Sequence, residues 1–200
     1  MRKIILSGEI NNSIVKEVIN SILEINEYDN REEKLKEEYK REPIYLYINS
    51  FGGSVYSGLA LIDVIAASKT PIYTVCIGSC MSMGLIIFIS GQKRLIGKNS
   101  TIMCHGVSLG SFGKIPEIQE DLEESKRLEE LLVDILVENT KIKRNKIEDV
   151  IEKRANWFIS AKEALKLGVA DLFLDEIWGI YKWNGFIRLP KAKKMLMNLS

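Results

Sequence analysis

The sequence predicts an α/β domain. Short apolar runs bounded by glycine or proline alternate with segments whose apolar residues recur at helical spacing. With 46% hydrophobic residues in 200, the chain can fill one ordinary core. A last segment, 176–200, is expected to be an extension to a main domain spanning 1–175.

The elements follow in order. Residues 3–6 read as a strand broken by Gly8. Asn12 or Ser13 can cap a helix that buries Val15, Val18, Ile19, Ile22 and Leu23. Residues 27–42 are dense in mixed charge and read as a solvated helix extension or loop. Residues 44–48 form a buried strand, Phe51-Gly52-Gly53 a turn, and 55–67 a helix with Leu59, Ile62 and Ala66 on one face. Pro71 separates that helix from a strand over 72–77, which Gly78 ends. A helix near Met81 runs to about Ile89, followed by strands at 93–96 and 101–104. A glycine-serine loop spans 108–113. The longest helix covers 115–138, with Ile118, Leu122, Leu132 and Ile135 along an apolar stripe. Another helix covers 143–154. Ser160 and Glu163 form a capping box for a short helix ended by Gly168, and 169–174 form a strand. In the tail, Asn184-Gly185 between apolar runs predicts a β-hairpin.

Bulk properties exclude several function classes. A net charge of +1 supplies no field for nucleic acid or for an anionic membrane surface. Cys76, Cys80 and Cys104 lack metal-ligand spacing, and two of them sit in apolar strand-like runs, which fits a reducing compartment. The apolar run 4–6 is too short for a signal peptide, and 85–89 falls far below the roughly 18 residues of a membrane span. A cytoplasmic protein without metal or cofactor is expected.

Three places could carry chemistry. The first is Ser50-Phe51-Gly52-Gly53-Ser54, between a buried strand and a helix. Paired glycines can turn sharply and leave N–H groups free for an oxyanion, although a plain tight turn uses the same residues. The second is Gly78-Ser79-Cys80-Met81-Ser82-Met83-Gly84, where a strand gives way to a helix. Ser82 there is either a helix cap or a nucleophile, with the Met83 N–H beside it as an oxyanion donor. The third is His105, the only histidine, which is either a structural hydrogen-bonder or the general base of a serine hydrolase.

Together the three resemble the ClpP peptidase family. Tyr45 to Val55 is similar to the family's strand and glycine turn, I-N-S-P-G-G. Gly78 to Gly84 resembles its nucleophile segment, G-x-x-x-S-M-G, and Met103-Cys104-His105 its histidine segment. Trp157 to Ala164 and Leu167 to Asp171 resemble its closing segment. The likeness covers 3–174, with four motifs in the right order. It implies the ClpP/crotonase-like spiral of ββα units, with the helix from Ile115 as a protruding handle. It implies Ser82 as nucleophile, His105 as base, and the N–H groups of Gly53 and Met83 as oxyanion hole. It further implies self-association into heptameric rings, possible stacking of two rings into a tetradecamer, an AAA+ unfoldase as ATP-using partner, and unfolded polypeptide as substrate.

The sequence departs from the family's pattern at several points. Asn156 stands where the family has its catalytic aspartate, with Glu152 one helical turn back as a substitute partner for the imidazole. Ala155 replaces an arginine that helps to couple two rings, Phe51 replaces a proline, and 27–42 is longer than the pattern. The likeness begins at the first core strand, which leaves pore gating and unfoldase docking unassigned. The expectation is a Clp-type serine endopeptidase with a Ser-His-Asn site. The alternatives are a catalytically impaired ring-forming subunit acting as scaffold or regulator, and an acyl-CoA enzyme of the crotonase type.

Overall fold

Ile4 and Leu6 are buried while Ile5 between them is exposed, the period-two signature of a strand with one face on a core. The computed structural model describes residues 2–178. Strand β1 (Arg2–Ser7) pairs in parallel with β2 (Ile44–Ser50), and β2 with β3 (Ile72–Met81). β3 is where the sheet divides. Residues 73–76 of it pair with β4 (Lys93–Ile96), and residues 79–81 pair with β5 (Thr101–Cys104). β4 continues to β7 (Leu172–Phe173), and β5 pairs antiparallel with β6 (Trp157–Ser160). The order is thus β1-β2-β3-β4-β7, with β5 and β6 branching from the far end of β3.

Helices α1 (Asn12–Leu35) and α2 (Val55–Ala67) connect the first parallel strands, as parallel pairing requires. The Asn11 side chain, not that of Asn12 or Ser13, caps α1 by accepting the Ile14 N–H at 3.1 Å. α2 buries Ser57, Gly58, Leu61 and Ile65, a face rotated from the one its sequence suggested. Its apolar residues run around most of the helix, so periodicity could not choose the side. Every residue of α3 (Met83–Ile89) is buried, which makes it the centre of the core. α4 (Ile115–Asn139) buries only its second half, at Leu128, Val133 and Leu136. Ile118 and Leu122 of its predicted stripe are exposed. α5 (Arg144–Glu152), α6 (Ala161–Lys166) and α7 (Leu174–Trp178) complete the chain described. Ser160 and Glu163 make the expected capping box on α6. β6 was not anticipated, and β3 runs through Gly78 instead of ending there. The predicted tail hairpin lies outside the described residues. Among those residues no helix is long and apolar enough to cross a membrane.

The charged stretch 27–42 holds a correction of substance. α1 extends through its first part, and Asp29, expected on a solvated face, is fully buried. Arg2 donates to both of its oxygens at 2.6 Å, and the Tyr39 and Thr70 hydroxyls each donate at 2.6 Å. One carboxylate therefore ties β1, α1, the segment after α1 and the α2–β3 loop together. Burial by itself would push the Asp29 carboxyl up. The hydrogen bonds from Arg2, Thr70 and Tyr39 outweigh it and hold it at about 2, below the ordinary 3.8.

A carboxyl lowered on folding stabilises the fold fully above its unfolded value, and that contribution is lost as pH falls through the folded one. Asp29 should therefore contribute fully above about pH 4 and progressively less down to about pH 2. Asp29→Asn should cost roughly 2 kcal/mol at pH 7 and flatten the stability–pH curve across that window. Urea unfolding at a series of pH values reads both effects.

Candidate active site at the branch point of the sheet

The geometry of the site begins with an irregularity in β3. Ile48 pairs with Cys76, but Ser50 pairs with Cys80, so β3 carries extra residues that bulge. Gly78 sits in the bulge at φ +69°, and a Cβ there would lie 2.7 Å from Asn49 Oδ1. That oxygen accepts both the N–H and the hydroxyl of Ser79 at 3.2 Å, which pins the bulge to β2. Beyond it the strand leaves β4, joins β5 and delivers Ser82, whose N–H donates to the Met103 carbonyl at 2.9 Å.

Ser82 occupies the joint between β3 and α3, at φ +52° and ψ −125°. That region is sparsely populated by residues with a Cβ and stores strain at a tight joint. Its side chain does not cap α3. Instead Oγ lies 2.8 Å from Nε2 of His105, the residue that follows β5. The two strand ends that meet at the branch of the sheet thus bring the hydroxyl and the imidazole together. The helix-cap alternative for Ser82 is removed by this geometry.

The glycine turn lies against the same point. Gly52 has φ +109°, and a Cβ on it would lie 2.8 Å from Ser82 Cβ. Gly53 has φ +146°, and a Cβ on it would lie 2.3 Å from the Ile10 carbonyl oxygen. Ile10 holds the turn by donating to the Gly52 carbonyl and accepting from Ser54 N–H, both at 2.8 Å. Among the described residues the N–H groups of Gly53 and Met83 have no acceptor, so both remain available. The Met83 side chain is seated on Gly58 of α2, where a Cβ would come within 2.4 Å of it.

Asn156 stands apart from this cluster. The β5–β6 ladder pairs Cys104 with Trp157, and its next step would set Asn156 opposite His105, but the ladder stops there. Asn156 is exposed. Among the described residues neither its side chain nor His105 Nδ1 has a hydrogen bond, and Glu152 does not reach the imidazole either.

Beside the Ser82–His105 pair is a cavity of about 30 Å³, walled by Leu85, Ile86, Leu132, Val133 and Ile151. Cys104 also lines it, and burial pushes its thiol up to about 11, so it stays protonated and does not compete as a nucleophile. Glu129 of α4 reaches the cavity too, and its Oε1 accepts the Val107 N–H at 2.8 Å. Sequence reasoning passed over Glu129, because an isolated carboxylate on a highly charged helix gives no periodic signal. Asn49 and Gly58, which fix the site through packing and hydrogen bonds, were likewise without a signal of their own.

The Clp protease family matches residues 1–176, nearly the whole described chain. The chain belongs to the Clp protease family. It is 37% identical over 137 residues to a protein of Deinococcus radiodurans named ATP-dependent Clp protease proteolytic subunit. That similarity covers 68% of this chain and 66% of the relative, just under two thirds of the relative's length. The mixed α/β architecture with its branched parallel sheet agrees with the family assignment.

The contacts of Gly53 give a direct test of the turn. Gly53→Ala should cost roughly 3 kcal/mol, since a methyl group cannot share space with the Ile10 backbone and alanine resists that φ. A shift of the urea midpoint at unchanged slope measures it.

Proposed function

We propose that this chain is the proteolytic subunit of a Clp-type protease and cuts peptide bonds with Ser82 and His105. The observation that carries the proposal is the 2.8 Å contact between Ser82 Oγ and His105 Nε2, set beside two N–H groups that lack acceptors among the described residues. In this reading Nε2 takes the hydroxyl proton as Oγ attacks the scissile carbonyl carbon. The carbonyl oxygen becomes an oxyanion that accepts from Gly53 and Met83 N–H. His105 returns the proton to the leaving amine, the C–N bond breaks, and the acyl group stays on Ser82. Water, deprotonated by the same imidazole, then releases it.

Assembly belongs to the same proposal. Leu109, Phe112, Ile115, Ile118 and Leu122 are exposed along the loop before α4 and its first half. Such a run of apolar side chains needs a partner surface. A second copy of the chain, in heptameric rings stacked through this handle, would supply one. An AAA+ unfoldase would deliver unfolded polypeptide, and the setting would be the cytoplasm. The peptidase unit is assigned to 1–175 and residues 176–200 to a C-terminal extension.

One observation favours a second reading, a ring subunit of little activity. Asn156 is exposed and unbonded to His105, and an amide cannot neutralise an imidazolium. In another serine protease, replacing the aspartate by asparagine lowers kcat by about 10⁴.

Labelling with a fluorophosphonate, read by mass spectrometry, separates the two. The expected result is an adduct on Ser82, absent in Ser82→Ala and formed at least ~10-fold faster in Asn156→Asp. An adduct seen only in Asn156→Asp would favour the inactive subunit. No adduct on Ser82 in either, with rings assembled, would reject the catalytic assignment.

A further inference from the structure

The cavity beside Ser82 and His105 is walled mainly by apolar side chains, and Glu129 is the carboxylate that lines it, held in place by one hydrogen bond. Its Oε1 is spent on the Val107 N–H, 2.8 Å away. Gly106 makes room for it, since a Cβ at 106 would lie 2.8 Å from the same oxygen. Its Oε2 has neither a hydrogen bond nor an ion pair among the described residues. Among the other acids of α4, Glu124 pairs with Arg127, and Glu130 and Asp134 pair with Arg144. Glu129 is the acid of that helix that lines the cavity shared with Ser82 and His105.

We infer that Glu129 is a specificity-determining residue, which selects substrates with a lysine or arginine on the acyl side of the scissile bond. The inference rests on the peptidase reading of Ser82. The acyl group remains attached to Ser82 after attack, so its side chain is the one that enters a cavity lined by Ser82. Walls of Leu85, Ile86, Leu132, Val133 and Ile151 match the methylene stem of a long basic side chain, for which the cavity of about 30 Å³ must open by side-chain rotation. The Glu129 carboxylate, partly shielded from water, then meets the cationic head in a charge-assisted hydrogen bond. Such a bond is worth roughly 10- to 100-fold in discrimination. Glutamine at 129 can still accept the Val107 N–H, so the charge can be removed while the hydrogen bond to the backbone is kept.

The test uses the full assembled chain and two peptidyl diphenyl phosphonates that differ only in lysine or leucine next to phosphorus. The rate of Ser82 adduct formation is measured for each, with a simple fluorophosphonate alongside. The expected lysine-to-leucine rate ratio is well above one, falls roughly 10- to 100-fold in Glu129→Gln, and falls further in Glu129→Lys. A purely structural role would slow both probes together and leave the ratio unmoved, which would overturn the inference. It is also overturned if the ratio is near one in the unmodified chain, or if the fluorophosphonate labels Ser82 while neither peptide probe does. If no reagent labels Ser82, the peptidase reading itself fails and the inference falls with it.

Discussion

Nothing larger than hydrogen fits between Gly53 Cα and the Ile10 carbonyl oxygen, because a Cβ there would lie 2.3 Å from it. This close approach ties the loop after β1 to the turn after β2, and the site depends on it. Ile10 takes up the Gly52 carbonyl and the Ser54 N–H, and that pairing leaves the Gly53 N–H without an acceptor among the described residues. Gly52 in turn lies flat enough against Ser82 that a methyl group would strike its Cβ. A backbone contact between two loops thus holds the glycine turn against Ser82. Main-chain donors placed this way cost no side-chain entropy when charge develops on a substrate.

The second constraint is the division of β3. A regular strand would have kept its pairing with β4 and carried Ser82 away from β5. The bulge at Gly78, pinned by Asn49, changes the partner strand and brings Ser82 against Met103 and His105. The strain at Ser82, with φ +52°, sits at the end of this detour and is held by the Met103 hydrogen bond on one side and buried α3 on the other. α3 can be buried throughout because all seven of its residues are apolar or glycine. The joint is therefore anchored by the most solvent-protected element of the fold.

Much of this was legible in the sequence, and the misses have physical causes. Strands at 93–96 and 101–104 were legible because short apolar runs ended at glycine or polar residues. Ser82 and His105 were legible only as a combination, since a cap and a lone histidine are each ordinary. β6 was missed because Trp157 to Ser160 is too short to show alternation, and its pairing with β5 is a long-range event. The bulge was missed because Gly78 reads as a terminator when its side-chain partner, Asn49, is distant in sequence. Asp29 was misread for the opposite reason. In a run of mixed charge nothing local marks the one acid whose partners arrive from β1 and from the α2–β3 loop.

The same distinction bears on Asn156. Geometry at the site is carried by backbone: two glycines, a bulge, a strand branch and two main-chain donors. None of these involves the residue at 156, which lies one step beyond the end of the β5–β6 ladder. An asparagine there leaves the Ser82–His105 contact at 2.8 Å and the donors in place. On the proposed peptidase reading, what it changes is charge, because an imidazolium formed during attack would lack the anion that stabilises it. In serine proteases stripped of triad function, oxyanion stabilisation and binding alone retain about 10³- to 10⁴-fold acceleration over water. On that reading a scaffold that kept those two components would keep a floor under the rate, and the third residue would set how far above that floor the chain works.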